Sequence, residues 1–157
     1  MSDFRIEGFD EQFRRLAREA GDKRRYDDLR YDVGRKFLDH CAEESPEKTG
    51  QLIASFKRRS FDGKKEWILD GKHAESIEAG TKVFYASMLN DGHRLVIRKR
   101  NKKGERIRGK RGLKENGFVK GTHFMDKALA KTNQDIPEMV ESFLRETGRA
   151  AGFDVSG

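Results

Sequence analysis

Apolar residues recur along this chain at two different periods, which predict helices toward both ends and short strands between them. Phe4 and Ile6 alternate in a short arm over residues 1–8. Phe9, Phe13, Leu16 and Ala20 then follow at steps of four, three and four, so residues 11–20 read as a helix. Asp10 is its natural cap, because a carboxylate accepts the unpaired amides of the first turn. A second helix is predicted from Arg24 to Glu44. Tyr26, Leu29, Val33, Phe37 and Cys41 form its apolar stripe, and Leu38 widens it. Ser45-Pro46 stops it, since the residue before a proline avoids the α region.

Gly50 marks a turn, and Leu52, Ile53 and Phe56 suit either a helical turn or a strand start. KKEWILD reads as a strand with Trp67 and Leu69 on one side. Asp70-Gly71 signals a hairpin, and the alternation from Ala74 to Ala79 predicts a partner strand that Gly80-Thr81 would break. Val83 to Leu89 is a strand or a short helix. Asn90-Asp91-Gly92 is a turn, and Leu95-Val96-Ile97 a short strand. Phe124, Ala128 and Leu129 share one helical face, and Ile136, Met139, Val140, Phe143 and Leu144 another. Pro137 either kinks one long helix or sits in the first turn of a new one capped by Asp135. The glycine-rich stretch 148–157 reads as a loosely held tail. Helices and strands come in runs rather than in βαβ alternation, which predicts an α+β fold in a single domain over 1–157. Its expected parts are N-terminal helices, a small mainly antiparallel sheet, a long basic loop and a C-terminal helix packed on the sheet.

Composition makes the expected core lean. Of 157 residues 34% are hydrophobic without counting glycine and 39% charged, against about 45–50% apolar with glycine counted and about 25% charged in average chains. Such a chain is expected to bury further surface against partners. The single cysteine, Cys41, forbids an intramolecular disulfide and fits a reducing compartment. No run approaches the roughly 18–20 apolar residues of a membrane helix. The first residues are charged, without an apolar signal core, so a soluble protein made in the cytosol is expected.

The residues offer little catalytic chemistry. His40, His73, His93 and His123 do not pair with Cys or His at metal spacing. Adjacent on a helix, His40 and Cys41 point about 100° apart. Nucleophile-elbow, phosphate-loop and dinucleotide motifs are missing, and Lys48-Thr49-Gly50 lacks the rest of a phosphate loop. Glu43, Glu44 and Glu47 read as solvated surface, and His93 with Asp91 and Arg94 as a polar turn. No convergent set of titratable groups with distinct roles assembles from these, so neither enzyme nor cofactor is expected.

Charge is the most unusual feature. Residues 98–120 hold eleven Lys/Arg and two acids, a net +9, which leaves −2 for the rest of a chain whose total is +7. Glycines at 104, 109, 112 and 117 make residues 98–117 unsuited to a helix, so the segment reads as a long mobile loop or an extended hairpin. Arg98, Lys99, Arg100, Lys102, Lys103, Arg106, Arg108, Lys110, Arg111 and Lys114 are its candidate contacts. Three readings stay open: non-specific contact with nucleic-acid phosphates, docking on an acidic protein surface, or a solvated loop. Aromatics are absent between 98 and 117, which disfavours stacking on single-stranded bases.

Three blocks of this sequence resemble the head–tail joining, or tail-completion, minor proteins of lambdoid-type long-tailed bacteriophages. Pro46, Thr49, Gly50, Leu52 and Ser55 follow that family's P-x-x-T-G-x-L-x-x-S segment. Tyr85, Ala86 and Gly92 follow its Y-A-x-x-x-E-x-G segment, with Asn90 in place of the glutamate. Phe124 and Ala128 follow its P-F-L-x-x-A segment, with His123 in place of the proline. The likeness spans roughly residues 5–145. It implies scaffold roles for these residues: Gly50 reversing the chain, Tyr85 and Ala86 packing a sheet face, Phe124 and Ala128 seating the last helix on that sheet. It also implies a virion component of the neck, assembled in the host cytoplasm as a ring, expected hexameric. Its partners would be adjacent connector, tail-terminator or tail-tube proteins, with channel DNA or a neighbouring ring facing the basic segment.

Overall fold

A computed structural model of the chain describes residues 23–46, 50–100, 102–103 and 106–150. The expected arm at 1–8, the helix at 11–20, Thr49 and the tail beyond residue 150 lie outside them. The described chain divides into two compact units, one formed by residues up to 83 and from 124 onward, the other by residues 84–123.

In the first unit, helix α1 (Lys23–Glu44) carries the expected stripe. Tyr26, Leu29, Val33, Phe37, Leu38 and Cys41 are all buried. It closes at Ser45, whose N–H and Oγ both donate to the Cys41 carbonyl at 3.0 and 2.5 Å. Pro46 then prevents continuation. Helix α2 (Gly50–Phe56) resolves the Leu52 alternatives: Leu52 and Phe56, four residues apart, are both fully buried on one helical face. Gly50 is the first residue of this helix.

Strands β1 (Trp67–Asp70) and β2 (Glu78–Thr81) pair antiparallel, Trp67 opposite Thr81 and Asp70 opposite Glu78. The second strand starts later than its alternation predicts, and Gly80-Thr81 lie inside it. Residues 74–76 are held in the preceding turn, where the Ala74 N–H donates to the Gly71 carbonyl at 2.9 Å. Helix α1 meets this sheet at Gly34, where a Cβ would lie 2.9 Å from both Leu69 Cδ1 and Ile77 Cγ2. Glycine within a helix costs about 1 kcal/mol relative to alanine; here its missing side chain admits Leu69 of β1 and Ile77, just before β2, to the helix backbone.

Helix α4 (Phe124–Ala150; α3 lies in the second unit) is one continuous helix with Pro137 inside it. The proline removes the N–H that would bond the Asn133 carbonyl, and the helix continues on both sides. Residues 148–150, expected in a loose tail, belong to it. Its main packing partner is α1 rather than the sheet. Met139, Val140 and Phe143 pack against Tyr26 and Leu29, while two four-residue strands already in contact with α1 offer little area for a 27-residue helix.

The second unit holds α3 (Ala86–Asp91), β3 (Gly92–Arg100) and β4 (Arg106–Lys120). The Val83–Leu89 run therefore gives a short helix, and Tyr85-Ala86 sit at its start rather than on a sheet. Of the two alternatives for the basic segment, the structure shows the extended hairpin, paired antiparallel. Strand β4 is 15 residues long and β3 nine. Two register shifts absorb the difference. From Arg94 to Val96 the partner moves from Phe118 to Leu113, and from Arg98 to Arg100 it moves from Arg111 to Arg106.

Candidate functional site

The residues that carry the three sequence blocks fall in different units. In the first unit Leu52, Ser55, Phe124 and Ala128 are buried and Pro46 half-buried. Phe124 meets Phe56 edge to face with centroids 5.9 Å apart, which ties the start of α4 to α2. Ser55 Oγ donates to the Leu52 carbonyl at 2.8 Å and lies 2.8 Å from Thr81 Oγ1. Thr81 Oγ1 in turn lies 3.2 Å from the Glu66 carbonyl and accepts the Val83 N–H at 3.1 Å. One buried serine thus links α2 to the sheet. A buried hydroxyl needs such partners, because leaving it unpaired costs about 1–3 kcal/mol.

In the second unit Ala86 and Asn90 are buried and Tyr85 half-buried. Tyr85 meets Phe84 edge to face at 5.3 Å. The Asn90 carbonyl accepts the His123 N–H at 3.0 Å, and the Leu89 carbonyl accepts the Thr122 N–H at 2.9 Å. These bonds hold the end of α3 to the residues after β4. Gly92 has φ 87°, and a Cβ there would meet the Val119 carbonyl at 2.5 Å. Of the candidate basic residues, Arg98, Lys99 and Arg100 lie on β3, and Arg106, Arg108, Lys110, Arg111 and Lys114 on β4. Lys102 and Lys103 are exposed in the turn.

The densest set of ionisable groups joins α1 to α4. His40 Nδ1 lies 3.2 Å from Glu43 and Nε2 2.7 Å from Asp135, with Lys36 Nζ 3.6 Å from Asp135. Lys131 pairs with Glu44 and lies 3.8 Å from Glu43. The hydrogen bond from His40 holds the Asp135 carboxyl below the usual aspartate range, assisted by Lys36. Lys131 does the same for Glu44 and is itself raised by that hydrogen bond. Each carboxylate here has a basic partner, so the set fastens two helices and leaves none of its acids uncommitted. Burial pushes the Cys41 thiol up, which keeps it protonated and a poor nucleophile. His93 lies on β3, not in a turn, paired with Val119, and its Nδ1 is buried without a hydrogen-bond partner. Among the described residues no group of three or more His, Cys, Asp or Glu is placed to hold a metal ion. No helix among them is long and apolar enough to cross a membrane.

The structure adds one feature that the sequence patterns did not single out. Phe84 is 79% exposed and Phe118 59%. Met88, Leu95 and Val119 are exposed as well, all in the 84–123 unit. The signal available was Phe118-Val119, an apolar pair set directly behind the basic segment. Phe84 was hidden inside an apolar run that reads as core. No protein-family profile, no curated protein and no solved structure matches this chain.

Proposed function

We propose that this chain is a structural subunit of the neck of a long-tailed bacteriophage virion, acting by ring self-association and by joining adjacent connector or tail proteins rather than by catalysis. The observation that carries this reading is the concentration of exposed apolar side chains in one 40-residue unit, Phe84, Met88, Leu95, Phe118 and Val119. Large apolar groups left in water mark surfaces that a partner covers, and aromatic residues are enriched there. The lean composition supports the same reading. So do the buried positions of Leu52, Ser55, Phe124 and Ala128, which pack the interior of the first unit, although Phe124 meets Phe56 of α2 and not the sheet.

A ring requires a heterologous interface whose rotation closes. Native mass spectrometry and negative-stain microscopy of the purified chain test for it. Closed rings are expected, and Phe84→Ser with Phe118→Ser is expected to shift them to monomers without changing the far-UV circular dichroism. A chain that stays monomeric at millimolar concentration and binds no connector or tail protein overturns the reading.

A further inference from the structure

We infer that the β3–β4 hairpin is an arm that contacts the phosphate backbone of duplex DNA. Its backbone register pairs Arg98 with Arg111 and Arg100 with Arg106. Like charges at directly opposed ladder positions destabilise an antiparallel pair, and acids that could relieve them are scarce: only Glu105 and Glu115 fall within residues 98–120. A ribbon that places cations opposite cations is suited to a polyanion that neutralises both strands together.

Where the register shifts, β4 gains residues that face no partner on β3. The stretches between Leu113 and Phe118 and between Arg106 and Arg111 contain Lys114, Arg108 and Lys110. Bulges of this kind release backbone groups from the ladder and increase the twist. Glycines at 109, 112 and 117 add positions where another backbone can approach closely.

The shape selects among polyanions. The major groove of B-DNA admits a two-stranded β-ribbon, whereas the major groove of an RNA duplex is too deep and narrow for side chains to read. Single strands are bound chiefly by stacking on aromatics, and residues 98–117 contain none. An acidic protein surface would have to present carboxylates matching a net +9 within 23 residues; DNA presents phosphates at a matching density by its repeat. The contact carries no sequence preference, because phosphates position a protein without specifying bases.

DNA contact and ring assembly are separable, so each can fail alone. Fluorescence anisotropy of the full chain with a labelled DNA duplex tests the contact over a salt series. Binding is expected to weaken steeply, with log affinity linear in log salt and a slope of about −0.9 per phosphate neutralised. Arg98→Thr with Arg100→Thr removes one member of each like-charged pair. This variant is expected to bind more weakly and with a shallower slope, while its thermal midpoint stays equal to or above that of the parent. A loss of binding cannot be attributed to unfolding when the midpoint is retained. Binding that is absent, insensitive to salt or unchanged in the variant overturns the inference. So does equal affinity for a matched RNA duplex, which removes groove entry, or preference for polyglutamate, which assigns the arm to an acidic protein.

Discussion

Two glycines of the resembling blocks stand in opposite physical situations. Gly92 occupies the left-handed region at φ 87°, and a Cβ would press on the Val119 carbonyl at 2.5 Å and the Gly121 nitrogen at 2.8 Å. Both are backbone atoms, so relief requires the end of the hairpin to move. Gly50 opens a helix, and a Cβ added there meets nothing within 4 Å. Alanine where φ is positive destabilises by more than the 0.4–1 kcal/mol that a compatible Gly→Ala substitution gains. Gly92→Ala is therefore expected to cost more than about 1 kcal/mol in urea unfolding, and Gly50→Ala to be neutral or stabilising by up to about 1 kcal/mol. A destabilising Gly50→Ala would mean that the position serves something other than the local backbone.

At the scale of elements, the seam between α1 and α4 combines the apolar contact of Tyr26 and Leu29 with Met139, Val140 and Phe143 and the ionic set around His40 and Lys131. Folding lowers the carboxyl pKa of Asp135 and Glu44. An acid whose folded pKa is depressed binds fewer protons than in the unfolded chain. Its stabilisation is complete above the unfolded value and is lost as pH falls through the folded value. Stability is thus expected to fall on acidification below the ordinary aspartate and glutamate values of 3.8 and 4.5. Asp135→Asn is expected to lower the neutral plateau slightly and to flatten the acid limb by the same small amount, so that parent and variant converge at low pH, as thermal midpoints from pH 2 to 7 would read. Both groups are partly open to solvent, so the plateau effect is small. The helices of this seam were legible because three- and four-residue steps of large apolar side chains specify a face, as Tyr26 to Cys41 do. Strand β2 was misplaced for the converse reason. Ala74, Ser76 and Glu78 alternate in size and polarity without apolar weight, and the turn bond at Gly71 decided where pairing begins. That α4 rests on α1 was not legible, since a period names a face but not the surface that covers it.

For the molecule as a whole, the candidate surfaces were half legible. Charge density pointed to residues 98–120, because composition alone makes +9 in a short window conspicuous. Pairing of that segment was open, because glycine and like charge lower strand propensity while the ladder from Gly92 to Lys120 is a long-range property. Phe118-Val119 stood out as an apolar pair behind the basic segment, but its exposure and that of Phe84 were not legible, since an apolar residue in sequence carries no mark of which side faces water. Division into two units makes the arm separable from the rest. Arg94 and Phe118 are ladder partners, so residues 95–117 can be replaced by Asn-Gly, a turn that closes two paired antiparallel strands. The excised stretch holds ten Lys/Arg and two acids, so the formal charge falls from +7 to −1. Helices α1, α2 and α4 keep their own core, and Phe84, Met88, Phe118 and Val119 remain. The shortened chain is expected to unfold within about 0.5 kcal/mol of the parent, the range of substitutions away from packed features. It should still assemble and should no longer bind DNA. Light scattering and anisotropy on the same sample decide the matter. Assembly lost together with DNA binding would place the subunit contact in the arm itself, whereas DNA binding that survives would show that the arm was never the contact.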